Sequence, residues 1–347
     1  MTDTSTTATP ASASAPTTDT TSIAIVKRRS PVARFLEQYA LPILTVLVFA
    51  YFALAPASSA TFPTINNLNV ILGSQAVVAL IAVGALFPLI SGYFDFSLGA
   101  NAALAQVLCA GLMANSGWPM WLAMIAPVIV GALVGVLNGF LVTRMHMSPF
   151  VTTLGMAMLL SGISLWYTNG QTIVSGIDPA MARFGSMRFL GLPVIVFIVL
   201  AIAAVVWYFF THTPYGRSLY AVGSNAASAR LVGVRVDRNV WIGFAVAGGI
   251  AGFAGVLQLA RQGSAYASDG NSMLFPALAA VFLGATAITP GFFNVIGTII
   301  GAIFVSLTVS GLTLSGASGW AANVFNGLAL LAAVGLSTYL GRRKRRE

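Results

Sequence analysis

The stretch LNVILGSQAVVALIAVGALFPLI, residues 68–90, decides the fold class. It carries no charged side chain over the roughly twenty residues that a helix needs to cross a hydrocarbon core about 30 Å thick. A membrane β-strand alternates in polarity over about ten residues, whereas this run is predominantly apolar with no such alternation. In lipid every backbone N–H and C=O must be paired within the protein, so a continuous run of this length reads as a helix.

Working outward, comparable runs cover about 41–57, 96–115, 119–143, 149–168, 192–211, 240–260, 273–290, 293–313 and 321–340. The third and eighth of the resulting ten spans are the weakest, and re-entrant segments fit them as well. The composition agrees. Of 347 residues 57% are hydrophobic and only 7% charged, with a mean hydropathy of +0.88. A soluble domain carries about 25% charged residues. The chain is therefore expected to be an all-α polytopic membrane protein of about ten helices with broken or re-entrant segments.

Residues 1–22 are mostly Thr, Ala, Ser, Pro and Asp, which predicts a disordered tail. Lys27, Arg28, Arg29 and Arg34 follow as a basic juxtamembrane cluster, so the tail segment is taken as 1–35, the membrane domain as 36–341 and a basic tail as 342–347. The start resembles a signal peptide but lies late and lacks a convincing cleavage site, which favours a retained anchor. With the N-terminus inside, ten spans bring the C-terminus back inside. Arg144, the loop with Arg217, Arg230, Arg235 and Arg238, and the basic tail then share the cytoplasmic side, against Arg183, Arg188 and Arg261 outside.

The net charge of +9 is spread beside apolar spans rather than over one soluble face, which argues against a nucleic-acid partner. The one cysteine, Cys109, lies in an apolar run, and His146 and His212 have no spaced partners, so neither a disulfide framework nor a metal site is expected. Gly131, Gly135 and Gly139 recur every four residues, as do Gly243, Ala247, Ala251 and Gly255, and Gly297 with Gly301. Such stripes let helix backbones approach closely, and packing is the preferred reading.

There is no GxxxxGK[ST] loop, no HExxH and no paired carboxylate in an apolar setting. An enzyme is not expected, and uphill transport would draw on a partner or an ion gradient. The longest interior polar stretch is 212–239, HTPYGRSLYAVGSNAASARLVGVRVDRN. Ser224 or Asn225 is placed to N-cap a short helix over 226–231, and Gly233 to end it. A plain connecting loop and a rigid surface for another protein both fit. Asp95 has two readings as well, a pathway or gating group or a local cap for the helix that follows. Gly- and Pro-interrupted segments at 91–99 and 284–297 occupy roughly corresponding places in the two halves, a pattern that marks permeation paths.

GRSLYAVGSNAASARLVGV (216–234) resembles the cytoplasmic coupling segment of the ribose-type ABC sugar permeases. Gly216, Arg217, Tyr220, Ala221, Gly223, Asn225, Ala229, Arg230 and Gly233 match the family pattern. SGYFDFSLGA (91–100), LNGFLVTRMHMSPFVTTLGM (137–156) and LAAVFLGATAITPGFFNVIGTIIGA (278–302) resemble further family elements in the same order, so the likeness covers roughly 65–341. Ser161-Gly162 stands where many relatives have Arg-Gly. Ala285, Thr289-Pro290 and Phe292-Phe293 replace parts of a Gly-Gly pattern.

The resemblance implies a permease subunit in a bacterial inner membrane, without a cofactor, importing a monosaccharide or polyol. Its implied partners are a cytoplasmic ATPase docked on 216–234, a periplasmic or lipid-anchored binding protein, and a second permease copy of the same or a similar kind. On that reading Ser97, Asn101, Thr286 and Asn294 offer polar partners to a sugar along the pathway beside Asp95, and Phe94 and Phe292 offer ring faces, a packing role fitting the polar groups at least as well. Arg183 and Arg188 in the outer loop 169–191 face the binding protein, a solvated loop being the plain alternative. An ion-coupled secondary transporter and a branched-chain amino-acid ABC permease are the remaining readings.

Overall fold

A computed structural model describes residues 31–344. The expected tail over 1–22, the basic residues Lys27, Arg28 and Arg29, and residues 345–347 lie outside the described residues. Ten helices coincide with the ten expected spans: α1 (Pro31–Leu54), α2 (Ile65–Ile90), α3 (Leu98–Ala114), α4 (Met120–Thr143), α5 (Pro149–Thr168), α7 (Val194–His212), α10 (Val236–Gln262), α11 (Gly270–Gly284), α12 (Val295–Leu314) and α13 (Gly319–Lys344). Between them lie the short helices α6 (Pro179–Ser186), α8 (Pro214–Ser224) and α9 (Ala226–Leu231), and a two-stranded hairpin of β1 (Arg188–Phe189) and β2 (Leu192–Pro193).

Seven of the ten are long and apolar enough to cross a membrane by themselves, while α3 and the apolar parts of α1 and α11 are shorter. Two expectations need correction. The first helix begins at Pro31, ten residues before the first apolar run and within the stretch assigned to the tail. The eighth span ends at Gly284 rather than near 290. Ile288 and Gly291 have φ of +61° and +87°, and Pro290 stands between them, so the helix cannot continue there.

α2 and α10 form the buried centre and run antiparallel. α2 ends where Gly223 of α8 lies on the Ile90 carbonyl, and α10 begins where the Tyr215 hydroxyl donates to the Asn239 carbonyl at 2.9 Å. Around this pair the packing repeats. α3 and α4 pack on α10 as α11 and α12 pack on α2, and α5 lies on α3 as α13 lies on α11. Since the central helices oppose each other, α2–α5 and α10–α13 are two units of inverted topology.

Small residues make these contacts possible, as the glycine spacing predicts. A side chain on Gly131 would strike the Gly248 carbonyl, and one on Gly135 the Phe244 carbonyl. The stripe on α10 serves its other faces: Gly84 of α2 lies against Ala247, and Gly255 lies against Ala102 of α3. Gly297 and Gly301 of α12 meet Gly284 and Ala280 of α11 in the same way. Without a hydrophobic drive between helices in lipid, this close approach is what holds the bundle together.

The two shortest spans explain themselves here. The N-terminal ends of α3 and α11 meet inside the bundle, where Gly99 and Gly270 leave no room for a side chain between them. Asn101, one turn into α3, donates from Nδ2 to the Gly131 and Gly248 carbonyls, each at 3.2 Å, midway along α4 and α10. From this point α3 runs to one end of the bundle, where Gln106 Nε2 donates to the Ser264 carbonyl at 2.9 Å. α11 runs to the other end, where Phe282 stacks on Phe94.

Candidate functional site

Three parts of the chain carry the candidate residues, beginning with the segment between α7 and α10. The Thr213 hydroxyl accepts from the Gly216 N–H at 3.2 Å, and Pro214 occupies the first turn, so α8 starts there. Asn225 Oδ1 accepts from the Ser228 N–H at 3.0 Å and starts α9 over 226–231, as the sequence predicts. Gly233, at φ +85°, ends it. α8 itself was not expected, although Thr213-Pro214 is a readable start signal.

Four of the nine coupling-segment candidates anchor this pair. Gly216 is packed against the end of α7, and a Cβ on Gly223 would fall on the Ile90 carbonyl. Ala229 is buried in a cluster with Val222, Val236, Val240 and Phe244. The Tyr220 hydroxyl donates to the Phe293 carbonyl at 2.8 Å, in the turn between α11 and α12. Burial pushes the Tyr215 hydroxyl up and that of Tyr220 up to about 12, so both stay protonated as donors.

Asn225 caps α9, while Arg217, Ala221, Arg230 and Gly233 are exposed, Arg230 pairing with Asp237 at 2.8 Å. Beside them Leu231 and Val232 are 89% and 79% exposed, an apolar tip that sequence reasoning missed. Its signal was two bulky apolar residues closing a short polar helix in a loop.

The second part comprises the pathway candidates, in the segments 91–97 and 285–294 and, for Asn101, in the first turn of α3. Ser97 donates through its N–H and its hydroxyl to Asp95 Oδ1, at 2.9 and 2.6 Å, and Asn138 Nδ2 donates to Ser97 Oγ at 2.9 Å. Asp95 thus organises the start of α3, and its Oδ2 is buried without a protein partner. Asn294 Oδ1 accepts from the Gly297 N–H to cap α12, and its Nδ2 reaches the Ala287 carbonyl at 3.1 Å. Thr286 donates to the Leu283 carbonyl at 2.7 Å. With Asn101 bridging α4 and α10, all five polar candidates hold the protein's own backbone or side chains.

The two rings differ. Phe94 stacks between Phe96 and Phe282, with centroids 5.9 Å from each, and is 40% exposed. Phe292 is 53% exposed. The expectation that 91–99 and 284–297 are equivalents is corrected by the inverted packing: 91–97, between α2 and α3, corresponds to 263–269, between α10 and α11. Both expected segments lie instead at the α8 end.

The third part is the opposite end of the bundle, which holds Arg183 on α6 and Arg188 on β1, both exposed. The loop 169–191 is therefore structured, with Met181 of α6 fully buried on the helix's inner side. A side chain on Gly185 would strike the Ala260 carbonyl, so α6 seals the end of α10 as α8 seals the end of α2. Arg188 and Arg261 share a pocket of about 210 Å³ with Asn69, Ser74 and Ser186.

An inverted bundle around two continuous central helices, with two short helices that begin inside it and a tethered pair of surface helices at one end, is the architecture of a transport permease. Residues 67–334 match the family model described as branched-chain amino acid transport system / permease component. The chain is similar to the ribose import permease protein of Escherichia coli K12, 33% identical over 87% of this chain and 94% of that one. It is also similar to the D-allose transport system permease protein of the same strain, 30% identical over 94% and 99%. A third relative is the autoinducer 2 import system permease protein of Salmonella paratyphi B, 30% identical over 82% of each. The chain belongs to this permease family. It is the multi-pass membrane component of an ABC transporter and not an enzyme, ATP hydrolysis lying with a separate subunit.

Proposed function

We propose that this chain forms one part of the import channel for a small neutral sugar or polyol, with ribose the first substrate to test. Relatives named for ribose, allose and autoinducer 2 support a small polar passenger. A cytoplasmic ATPase docks on α8 and α9 through Arg217, Ala221, Arg230, Leu231 and Val232. A solute-loaded binding protein docks at the other end on Arg183 and Arg188, where exposed charges steer and register a partner. Both termini are cytoplasmic, and a second permease copy completes the channel. Phe94 and Phe292 line its inner mouth, and Asp95, Ser97, Asn101, Thr286 and Asn294 hold the backbone around it.

The observation that carries this reading is the double tether of α8, to the end of α2 through Gly223 and to the α11–α12 turn through Tyr220. A push on α8 reaches both units of the inverted repeat at once. The test is uptake of labelled D-ribose into proteoliposomes holding the chain, a candidate ATPase and a sugar-binding protein. ATP-dependent uptake supports the reading. Uptake that follows an ion gradient without ATP overturns it in favour of a secondary transporter, and uptake of leucine but not ribose moves the passenger to the branched-chain amino acids of the family description.

A further inference from the structure

A cavity of about 730 Å³ opens between α2, α11, α12 and α13, away from every candidate considered above. Its polar lining is made of amides and a hydroxyl: Gln75 on α2, Ser272 on α11, and Asn323 and Asn326 on α13, with the ring of Phe275 beside them. Gln75 Oε1 and Asn326 Oδ1 are both buried atoms without a hydrogen-bond partner. Asn326 stands seven residues from the start of α13, which at 1.5 Å per residue is about 10 Å into the helix. Gln75 stands ten residues into α2, about 15 Å. These groups therefore sit at the depth of the hydrocarbon core.

Lipid cannot satisfy them. An unpaired amide in hydrocarbon is costly, and polar groups inside a membrane face a water-filled cavity or a ligand. Whatever fills this space must offer hydrogen bonds. No Asp, Glu, Lys or Arg lines it, so the occupant carries no charge that needs pairing. Amides that both donate and accept match hydroxyl groups, and the half-exposed Phe275 offers an apolar face to the C–H side of a sugar ring. The volume falls in the roughly 300–1,000 Å³ range of small-molecule sites.

We infer that this cavity is the sugar-binding station of the translocation pathway, with Gln75, Asn323 and Asn326 as its recognition amides and Ser272 as a further partner. The inference rests on the import reading and gives that reading a place within the bundle. It separates two tasks: the buried polar residues of 91–97 and 285–294 hold the backbone, and the passenger is met by α2, α11 and α13.

The test uses the full chain in nanodiscs on a Cys109→Ser background, with Ala322→Cys, a lining position that supplies no recognition group, as the reporter and a neutral, water-soluble thiol reagent. Expected are rapid labelling and slowing by about tenfold under D-ribose or D-allose at about ten times its Kd, because the unprotected fraction falls as 1/(1 + [L]/Kd). A cysteine that reacts only with a lipid-soluble reagent, or whose labelling neither sugar slows, overturns the inference. In the assembled transporter, Gln75→Leu with Asn326→Leu is expected to cut D-ribose uptake about tenfold or more, with ATPase co-purification unchanged. Wild-type uptake in that double variant also overturns it. Sugar protection in nanodiscs without any ATP-driven uptake by the wild type would leave the station standing and remove the import reading.

Discussion

At the residue scale, Asp95 and Gly223 give the sharpest contrasts. Asp95 accepts both bonds from Ser97 through one oxygen. Asn at this position keeps an acceptor there and removes only the charge. Asp95→Asn is therefore expected to fold and transport near the wild-type level, whereas Asp95→Ala, which frees the Ser97 groups in a buried site, is expected to cost about 1–3 kcal/mol. Thermal unfolding and uptake of the two variants, measured side by side, check this. Strong loss of uptake in the folded Asp95→Asn protein would instead make the charge part of the pathway. Gly223→Ala forces a methyl group onto the Ile90 carbonyl, so lower stability and weaker coupling are expected together. That site tests packing more than docking.

For elements, the exposed tip of α9 is where docking can be tested without disturbing the bundle. Leu231→Asp and Val232→Asp touch neither the buried Ala229 cluster nor the Tyr220 tether. Each is expected to lower ATPase co-purification severalfold while thermal stability stays within about 0.5 kcal/mol of wild type. Retained binding in the double variant would move the docking surface elsewhere. The legibility of the sequence also divides by element. The ten spans could be read because lipid imposes length and apolarity on each helix, and α9 could be read because Asn225 and Gly233 bracket it. α8 was hidden because its glycines read as loop, and their reason is close approach to α2 and α7. The pathway candidates were readable as polar residues in apolar surroundings. What Asn101 binds was not, because the backbone carbonyls of Gly131 and Gly248 come from distant parts of the chain. Gln75 and Asn326 carry no sequence signal of a site because uncharged polar residues scattered through apolar helices read as packing groups, and only the tertiary packing brings them to one cavity.

Across the whole molecule, the two ends of the bundle make separate predictions. In right-side-out vesicles, a membrane-impermeant thiol reagent should label Arg188→Cys and leave Ala227→Cys untouched until the membrane is opened. The single native cysteine, Cys109, is buried and contributes no background. The reverse pattern would invert the topology. The meeting of α3 and α11 inside the bundle has an electrical consequence. Each helix start carries about half a positive charge, and each has its own acid close by, Asp95 two residues before Ser97 and Asp269 at the cap of α11. These charges are fixed and locally balanced, so a neutral passenger crossing between the ends moves no net charge through the field. A membrane potential of 100 mV, worth about 2.3 kcal/mol for each charge moved, then neither helps nor opposes the passage. Uptake driven by ATP should run at the same rate in polarised and depolarised vesicles.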